Sequence, residues 1–305
     1  MQTIGITGGT GFVGKHLTSL LTGKGLQVII FTRNPQNRAT SGPVSYAYWD
    51  AEQGKCDTNA LAKPDAIVHL AGAGVADKRW TKARKKEIID SRVKATDFLV
   101  GQLKEHAPQC KTFIAASAIG FYGPDIPGKD PFAESAPPYN DFLGTTCKAW
   151  ETSSASAEKV MRTVILRFGI VLGKESGAFP QFAKPTDMGI VPLLGGGKQT
   201  ISWIEVDDLA RMILYSLEHS QVNGVYNAVA PNPVTQKALM QSIAHEKGGI
   251  KIPVPVPSFV LKIMLGEMSI EVLKSCTVSA QKVLDAGFVF DHPTIGNAVK
   301  YILAK

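Results

Sequence analysis

Thr7-Gly8-Gly9-Thr10-Gly11-Phe12-Val13-Gly14 lies between an apolar run, Thr3–Thr7, that reads as a strand, and a stretch, Gly14–Thr22, that reads as a helix. The octapeptide satisfies G-x-x-G-x-x-G through Gly8, Gly11 and Gly14, and G-x-G-x-x-G through Gly9, Gly11 and Gly14. Glycine at these places serves a tight turn, a close approach of backbone to a pyrophosphate, and the packing of helix on strand. The helix that follows aims unpaired N–H groups at the phosphates. A glycine string alone is nonspecific, but between a strand and a helix it predicts a dinucleotide site. Its expected contacts are Gly8, Thr10, Gly11, Phe12, Val13 and Gly14.

Outward from this turn, strand and helix patterns alternate. Gln27–Thr32, Val44–Trp49 and Ala66–Leu70 read as the second to fourth strands. A long amphipathic helix follows, with Ile89, Val93, Thr96, Val100 and Leu103 at helical spacing. Thr112–Ser117 is then the fifth strand, about 141–158 a helix, and Thr163–Phe168 the sixth strand. Short apolar strands between helices predict a parallel sheet covered on both faces. Right-handed crossovers make it a Rossmann-type, doubly wound α/β fold. From about residue 170 the texture changes. Gly195-Gly196-Gly197 and Ile252-Pro253-Val254-Pro255-Val256-Pro257 mark loops or extended linkers, while Phe259–Leu265, Ser279–Ala286 and Thr294–Leu303 read as helices. The expected organisation is a Rossmann domain over 1–230, with substrate-side segments from about 170, and a smaller, mostly helical C-terminal module over 250–305.

Composition excludes several classes. With 44% hydrophobic and 19% charged residues, the 305-residue chain is of globular type. No window reaches the ~18 uninterrupted apolar residues of a membrane span, and Met1–Ile6 lacks the basic start of a signal peptide. Cys56, Cys110, Cys147 and Cys276 are scattered, without metal spacing, so a reduced, cytoplasmic setting is expected and no metal. The formal charge of +7 raises the question of nucleic acid. Its densest run, Lys78–Lys86, reads as a loop and helix start, with no zinc-finger or aromatic RNA-binding pattern, so nucleic acid is disfavoured.

The second strand should end near the adenosine ribose, where an acid favours NAD and an arginine pairs with the 2′-phosphate of NADP. Here stand Thr32-Arg33-Asn34-Pro35, with Arg38 nearby and no acid from Val28 to Tyr48. A guanidinium holds phosphate bidentately, so NADP(H) is expected through Arg33, with NAD(H) as the alternative.

These residues resemble the extended, epimerase/dehydratase-like branch of the short-chain dehydrogenase/reductase superfamily. Thr7–Gly14 resembles that branch's glycine motif, and His69-Leu70-Ala71-Gly72 its segment lining the cofactor cleft. Ser117–Gly123 is similar to the serine–tyrosine–glycine segment after the fifth strand, Arg167–Gly173 to the segment near the nicotinamide, and Ser202–Leu209 to the substrate-side segment. More closely, nearly the whole chain resembles the atypical group called epimerase family proteins. The features are Arg79-Trp80, Ser91-Arg92-Val93, Ser117–Gly123, Trp150-Glu151, Gly195–Gln199 with Ser202-Trp203-Ile204, and the tail Pro257–Phe290. The resemblance implies further cofactor contacts at Leu70, Ala71, Gly72, Arg92, Ser117, Phe168 and Val171, and an unidentified small-molecule substrate.

One departure bears on mechanism. In the superfamily, a Tyr-x-x-x-Lys pair on the helix after the fifth strand moves the proton, the lysine lowering the tyrosine pKa and a serine or threonine assisting. Here Lys148 as the lysine puts Gly144 at the tyrosine place, whereas a register set by Glu151 gives Leu143 and Cys147. The candidates for the chemistry are therefore Tyr122, Lys148 and Ser117. His69 is expected beside the cofactor, Tyr139 on a loop near the cleft, and Cys147 as a small buried residue. Arg167 and Asp208 would bind substrate, pair internally or cap. Two functions stand open: an NADP(H)-dependent oxidoreductase or epimerase with a rebuilt acid/base site, or a non-catalytic NADP(H) sensor or scaffold.

Overall fold

The computed structural model describes residues 1–38, 40 and 42–305. The chain opens with β1 (Thr3–Thr7), α1 (Phe12–Gly23), β2 (Gln27–Thr32), β3 (Val44–Asp50), β4 (Lys55–Cys56), α2 (Thr58–Leu61) and β5 (Ala66–His69). It continues with α3 (Lys82–Asp90), α4 (Val93–His106), β6 (Thr112–Ala118), α5 (Phe142–Ala155) and β7 (Arg162–Phe168). Then come β8 (Ile170–Leu172), α6 (Phe179–Asp187), β9 (Ile190–Leu194), β10 (Thr200–Ile201), β11 (Trp203–Glu205), α7 (Val206–Glu218) and β12 (Gly224–Ala228). The remainder is β13 (Val234–Thr235), α8 (Gln236–Lys247), β14 (Ile252–Val256), α9 (Ser258–Leu265), α10 (Ser269–Leu273), α11 (Gln281–Asp285) and α12 (Ile295–Ala304).

The central sheet has eight strands in the order β12-β7-β6-β5-β1-β2-β3-β4. All its pairs are parallel except the β3–β4 hairpin. This is the doubly wound Rossmann-type fold. The chain winds from β1 to β2 and β3, then crosses to β5 and onward, so the strand order switches between β1 and β5 and opens a crevice at their carboxyl ends. The strands are apolar on both sides because both sides are covered. Ile4, Ile6, Val68 and Leu166 pack with Leu17 of α1 and Leu209 and Ile213 of α7. Phe31, Ile67, Phe113 and Ile165 pack with Leu99, Val100 and Leu103 of α4. A third core, around Phe179, Trp203, Leu239, Ile243 and Ile302, joins α6, α8 and α12 outside the sheet.

Three expectations change. The long helix before β6 is two helices, broken at Ser91-Arg92. There the Ser91 hydroxyl donates to the Ile88 carbonyl and accepts from the Ala73 N–H, diverting backbone partners from the helical ladder. The proline run is not a linker but β14, paired in parallel with β9. Pro253 and Pro255 alternate along β14, which stands at an edge where a missing N–H is tolerated. Finally, β12 is a further parallel strand that was not foreseen.

His69, expected beside the cofactor, points into the second core. Thr7 Oγ1 lies 2.6 Å from its Nδ1 and Thr96 Oγ1 3.1 Å from its Nε2, and its ring stacks on Phe113. Burial pushes its pKa down from 6.5 to about 4, so the folded state holds it neutral while the unfolded chain protonates it. This contribution is full above pH 6.5 and lost as pH falls toward 4. Glu205, buried and pushed up to about 7, opposes it, gaining stability as pH falls through the same range. Comparison with His69→Asn isolates the histidine. Urea unfolding at pH 7.5 and 4.5 should show the unaltered protein losing about 2–3 kcal/mol more than the variant. Equal losses would contradict the neutral buried imidazole.

Candidate functional site

The glycines of the first turn have different steric reasons. Gly8 has φ +72°, and a Cβ there would lie 2.8 Å from the backbone of Leu70 and Ala71. At Gly14 a Cβ would collide with the Gly8 carbonyl and the Gly9 backbone. Gly11 differs: it is exposed, its nearest obstacle is the Gly8 oxygen at 3.2 Å, and its own N–H donates to that oxygen at 2.9 Å. Gly11 is also the N-cap of α1, which has no side-chain cap and no acid in its first turn. Unpaired N–H groups and the positive end of the helix dipole therefore face the crevice, a fit for a pyrophosphate. The side chain of Phe12 is turned away, its ring against Gly173 and edge-on to His16, so Phe12 and Val13 offer backbone N–H groups. Beside the turn lies a cavity of about 260 Å³ lined by Gly9, Thr10, Lys15, Ile30, Arg38 and Tyr46, with Thr18 and Ser19. Arg38, not Arg33, lines this cavity; Arg33 stands exposed just beyond β2. Lys15 was missed in the sequence because a lysine in the first turn of a helix reads as a solvated residue.

On the other side of the crevice, the Leu70 N–H donates to the Thr7 carbonyl at 3.0 Å, which sets Leu70-Ala71-Gly72 against the glycine turn. Leu70, Phe168, Val171 and Val13 are partly buried and pack on the first core. Arg92, at the break between α3 and α4, lays its guanidinium over Gly72, 5.1 Å from the Trp150 ring centroid.

The structure fixes the rotation of α5. Leu143 packs on Gly120, Cys147 is buried beside the Ala118 backbone, and Glu151 reaches Ser117 and Arg167, so these three share the inward face. Lys148 is exposed. The inward face of α5 therefore carries Leu143, Cys147 and Glu151, the set that the Glu151 register would put at the tyrosine and lysine places and beside them. Burial pushes the Cys147 thiol up to about 12, which removes it as a nucleophile. Ser117 is buried, its hydroxyl donating to Glu151 Oε1 at 2.6 Å. Tyr122, expected in the cleft, is 0% exposed. Its hydroxyl donates to Asn227 Oδ1 and accepts from Arg167 Nη1, both at 2.7 Å, and burial pushes its pKa up to about 12. A phenol sealed from substrate and held neutral is a structural group, so these placements do not support Tyr122, Ser117 and Lys148 as a proton-transfer set. Arg167 pairs internally with Glu151, and Asp208 accepts from the Asp291 and His292 N–H groups and pairs with Arg211. Tyr139 stands 47% exposed, its ring close over Gly123. Glu151, Asn227 and Glu134 form one cluster around Arg167 and Tyr122, and a buried arginine, which needs a carboxylate, is the signal in the sequence that points to it. Among the described residues no group of three metal-ligating side chains occurs, and no helix is long and apolar enough to cross a membrane.

The glycine crevice, the doubly wound sheet and the segments after β5, β6 and β7 define a class of protein, and comparison with known proteins places the chain in it. The family model "NAD dependent epimerase/dehydratase family" matches residues 4–228, and a "Domain of unknown function (DUF1731)" matches 256–302. The chain belongs to the NAD-dependent epimerase/dehydratase family. It is 36% identical over 305 residues to epimerase family protein YfhF of Bacillus subtilis, covering 99% of this chain and 98% of that one. It is 30% identical over 303 residues to epimerase family protein SDR39U1 of Homo sapiens, covering 98% and 99%. The crystal structure of human SDR39U1 with NADPH superposes with a TM-score of 0.86 at 27% identity, covering 100% of both chains. The UDP-glucuronic acid 4-epimerase of Bacillus cereus shares the fold, with a TM-score of 0.81 at 18% identity over 99% of this chain and 98% of that one.

Two substitutions separate packing from ligand approach in the glycine turn. Gly14→Val should destabilise the fold by about 1–3 kcal/mol, because its Cβ meets fixed backbone. Gly11→Val should fold yet bind dinucleotide about 100-fold more weakly, ~2.7 kcal/mol, because it obstructs the phosphates. Thermal melts and titration calorimetry read the two effects, and unchanged affinity in folded Gly11→Val would remove the pyrophosphate site.

Proposed function

We propose that this chain binds NADP(H) across the β1–β5 crevice and uses it as an oxidoreductase on a small-molecule substrate. The observation that carries the reading is the cavity where Lys15 and Arg38 converge with Thr10 and Tyr46 beside the uncapped N-terminus of α1. Two cations on one cavity suit a 2′-phosphate, and the absence of an acid from Val28 to Tyr48 disfavours a ribose 2′-hydroxyl. NADPH in the human SDR39U1 structure supports the same choice. Gly8, Thr10, Gly11, Phe12, Val13 and Gly14 would hold the pyrophosphate, and Lys15, Arg38 and Arg33 the 2′-phosphate. Leu70, Ala71, Gly72, Arg92, Ser117, Phe168 and Val171 would wall the remainder. A bound nicotinamide supplies or accepts a hydride at a substrate carbon.

Proton transfer must come from elsewhere than the usual helix pair. Among the tyrosines considered for the cleft, Tyr139 has an exposed ring, whereas Tyr122 is sealed. We assign Tyr139 as the candidate proton donor. A second reading, a dinucleotide-holding sensor or scaffold, is favoured by one observation: apolar Leu143 and neutral Cys147 occupy the inward face of α5, and the Ser117 hydroxyl is committed to Glu151.

Two measurements test these statements. Lys15→Ala with Arg38→Ala should weaken NADPH binding by ~1.5–3 kcal/mol per lost charge-assisted contact, and NADH binding by less than about twofold. A preference of the unaltered protein for NADH overturns the cofactor reading. On any carbonyl compound that the protein reduces, Tyr139→Phe should lower kcat by ~10²-fold or more. Unchanged kcat removes Tyr139, and tight NADPH binding without turnover across a broad panel favours the sensor.

A further inference from the structure

The segment from Lys247 to Gly266, which holds β14 and α9, carries apolar side chains that the chain leaves uncovered. The Ile252 N–H donates to the Gly189 carbonyl and the Val256 carbonyl accepts from the Gly195 N–H, at the two ends of β9. Ile252, Val254 and Val256 therefore turn their backbone groups toward β9, and Pro253 and Pro255 turn theirs away. Alternate residues of a strand share a face. Val191 of β9 points into the third core, so Ile190 and its register partner Ile252 face outward, 38% and 61% exposed. After Pro257 comes α9, eight residues long, in which Leu261 alone is buried. Phe259 and Ile263, one turn apart on the same side, are 63% and 69% exposed, with Met264 next to them at 66%. A surface helix normally turns its apolar stripe to the core, whereas α9 turns most of it to solvent. Apolar side chains that stand together in this way mark a docking surface.

Charge and backbone say what kind of partner fits. From Lys247 to Gly266 the chain has three lysines and no acid. Lys247 is held by Asp187, whereas Lys251 and Lys262 join no ion pair among the described residues. The acids on either side are neutralised, Asp187 by Lys247 and Glu267 by Lys85. The surface is therefore apolar and cationic. Lys262 is exposed, beside Ile263 and close to Phe259 on α9, where a lysine stem can lie along apolar groups and lift its ammonium to the rim. A second copy of the chain would place the same patch on both sides of a twofold axis and set lysine against lysine. A partner that adds a strand finds no donors at the outer edge of β14, because Pro253 and Pro255 have no N–H. An apolar layer bearing negative charge satisfies both the side chains and the lysines.

We propose that β14 and α9 form a docking surface for an anionic lipid bilayer. Ile252, Phe259, Ile263 and Met264 enter the boundary between headgroups and acyl chains, and Lys251 and Lys262 meet the lipid phosphates. Such binding grows with the apolar area buried and with the anionic lipid content. The chain then lies on the membrane and does not cross it.

The test is co-sedimentation of the full-length protein with vesicles, with light scattering for oligomeric state and melting curves for folding. One set is phosphatidylcholine alone, and the other is roughly three parts phosphatidylcholine to one of phosphatidylglycerol. The unaltered protein should bind the anionic vesicles ~10-fold or more tightly than the neutral ones, and lose most of that difference at ~0.5 M salt. Phe259→Ser with Ile263→Ser should weaken binding to anionic vesicles by ~10-fold or more without lowering the melting temperature. Lys251→Gln with Lys262→Gln should weaken it by about 10-fold. If the serine pair fails to fold, Ile252→Gln takes its place, with a loss of about threefold or more expected. No binding to anionic vesicles, or binding that the apolar and lysine substitutions both leave unchanged, overturns the proposal. A dimer in solution that Phe259→Ser with Ile263→Ser converts to a monomer also overturns it, since the patch then belongs to a second copy.

Discussion

Arg167 and Glu151 lie side by side beneath the carboxyl edge of the sheet, joined by Nε to Oε1 and Nη2 to Oε2, each at 2.8 Å. Both are nearly withdrawn from solvent. Charges so placed are tolerated only when paired and hydrogen-bonded, and removing one partner of such a pair costs about 3–5 kcal/mol. The remaining donors of Arg167 are spent as well, on the Tyr122 hydroxyl and the Glu134 carbonyl, with the guanidinium 3.5 Å from the Phe121 ring centroid. From Tyr122 the bonds continue to Asn227 of β12, whose amide reaches the carbonyls of Phe132 and Ser279. One ion pair thus ties β6, α5, β7, β12 and the C-terminal segment at a single point.

That point dictates what α5 presents to the cleft. Side chains four residues apart share a helix face, so Glu151 inward means Cys147 and Leu143 inward, and Lys148 sits on the exposed side. The inward positions of α5 ahead of Glu151 are held by an apolar side chain and a neutral thiol as a direct consequence of pairing Glu151 with Arg167. Ser117 is drawn into the same arrangement, its hydroxyl bonded to Glu151. Stability and chemistry compete for these residues, and here stability has them. The start of α1, which carries no side-chain cap, keeps its backbone N–H groups free toward the crevice.

The parts that were legible in the sequence are those governed by local sterics. Gly8 could be read because its positive φ and its contact with the backbone of Leu70 and Ala71 admit no other residue, and Gly14 because a Cβ there meets the backbone of Gly8 and Gly9. The apolar strands could be read because burial on both faces leaves no polar alternation. What escaped depends on partners remote in the chain. Gly224–Ala228 is a strand because β7 offers it a parallel edge, and nothing in its five residues says so. Ile252–Val256 escaped because prolines argue against a sheet unless an edge is available, and β9 makes that edge. The direction of His69 and the register of α5 belong with these, since Thr96 and Arg167 decide them from outside the segment. Arg33 stands nearer the end of β2 in sequence, whereas Arg38 lines the cavity, a difference set by the path of the chain after the strand.

The basic run Lys78–Lys86 is explained by the same economy of charge. Arg84 pairs with Asp77 and Glu87, Lys86 with Asp90, and Lys85 with Glu267. The last of these is between segments far apart in the chain, and it is joined by a close approach of the Arg79 guanidinium to Gly266, which has φ +61°. Trp80 packs edge-on to Phe142 at the start of α5, with Lys85 over the same ring. A run that looks in the sequence like a surface for polyanions thus binds the turn between α9 and α10 to the front of α3 and α5. In the same C-terminal segment Lys274 reaches the Tyr122 carbonyl and pairs with Glu271. Short-range pairs of this kind lose little to screening when partly buried.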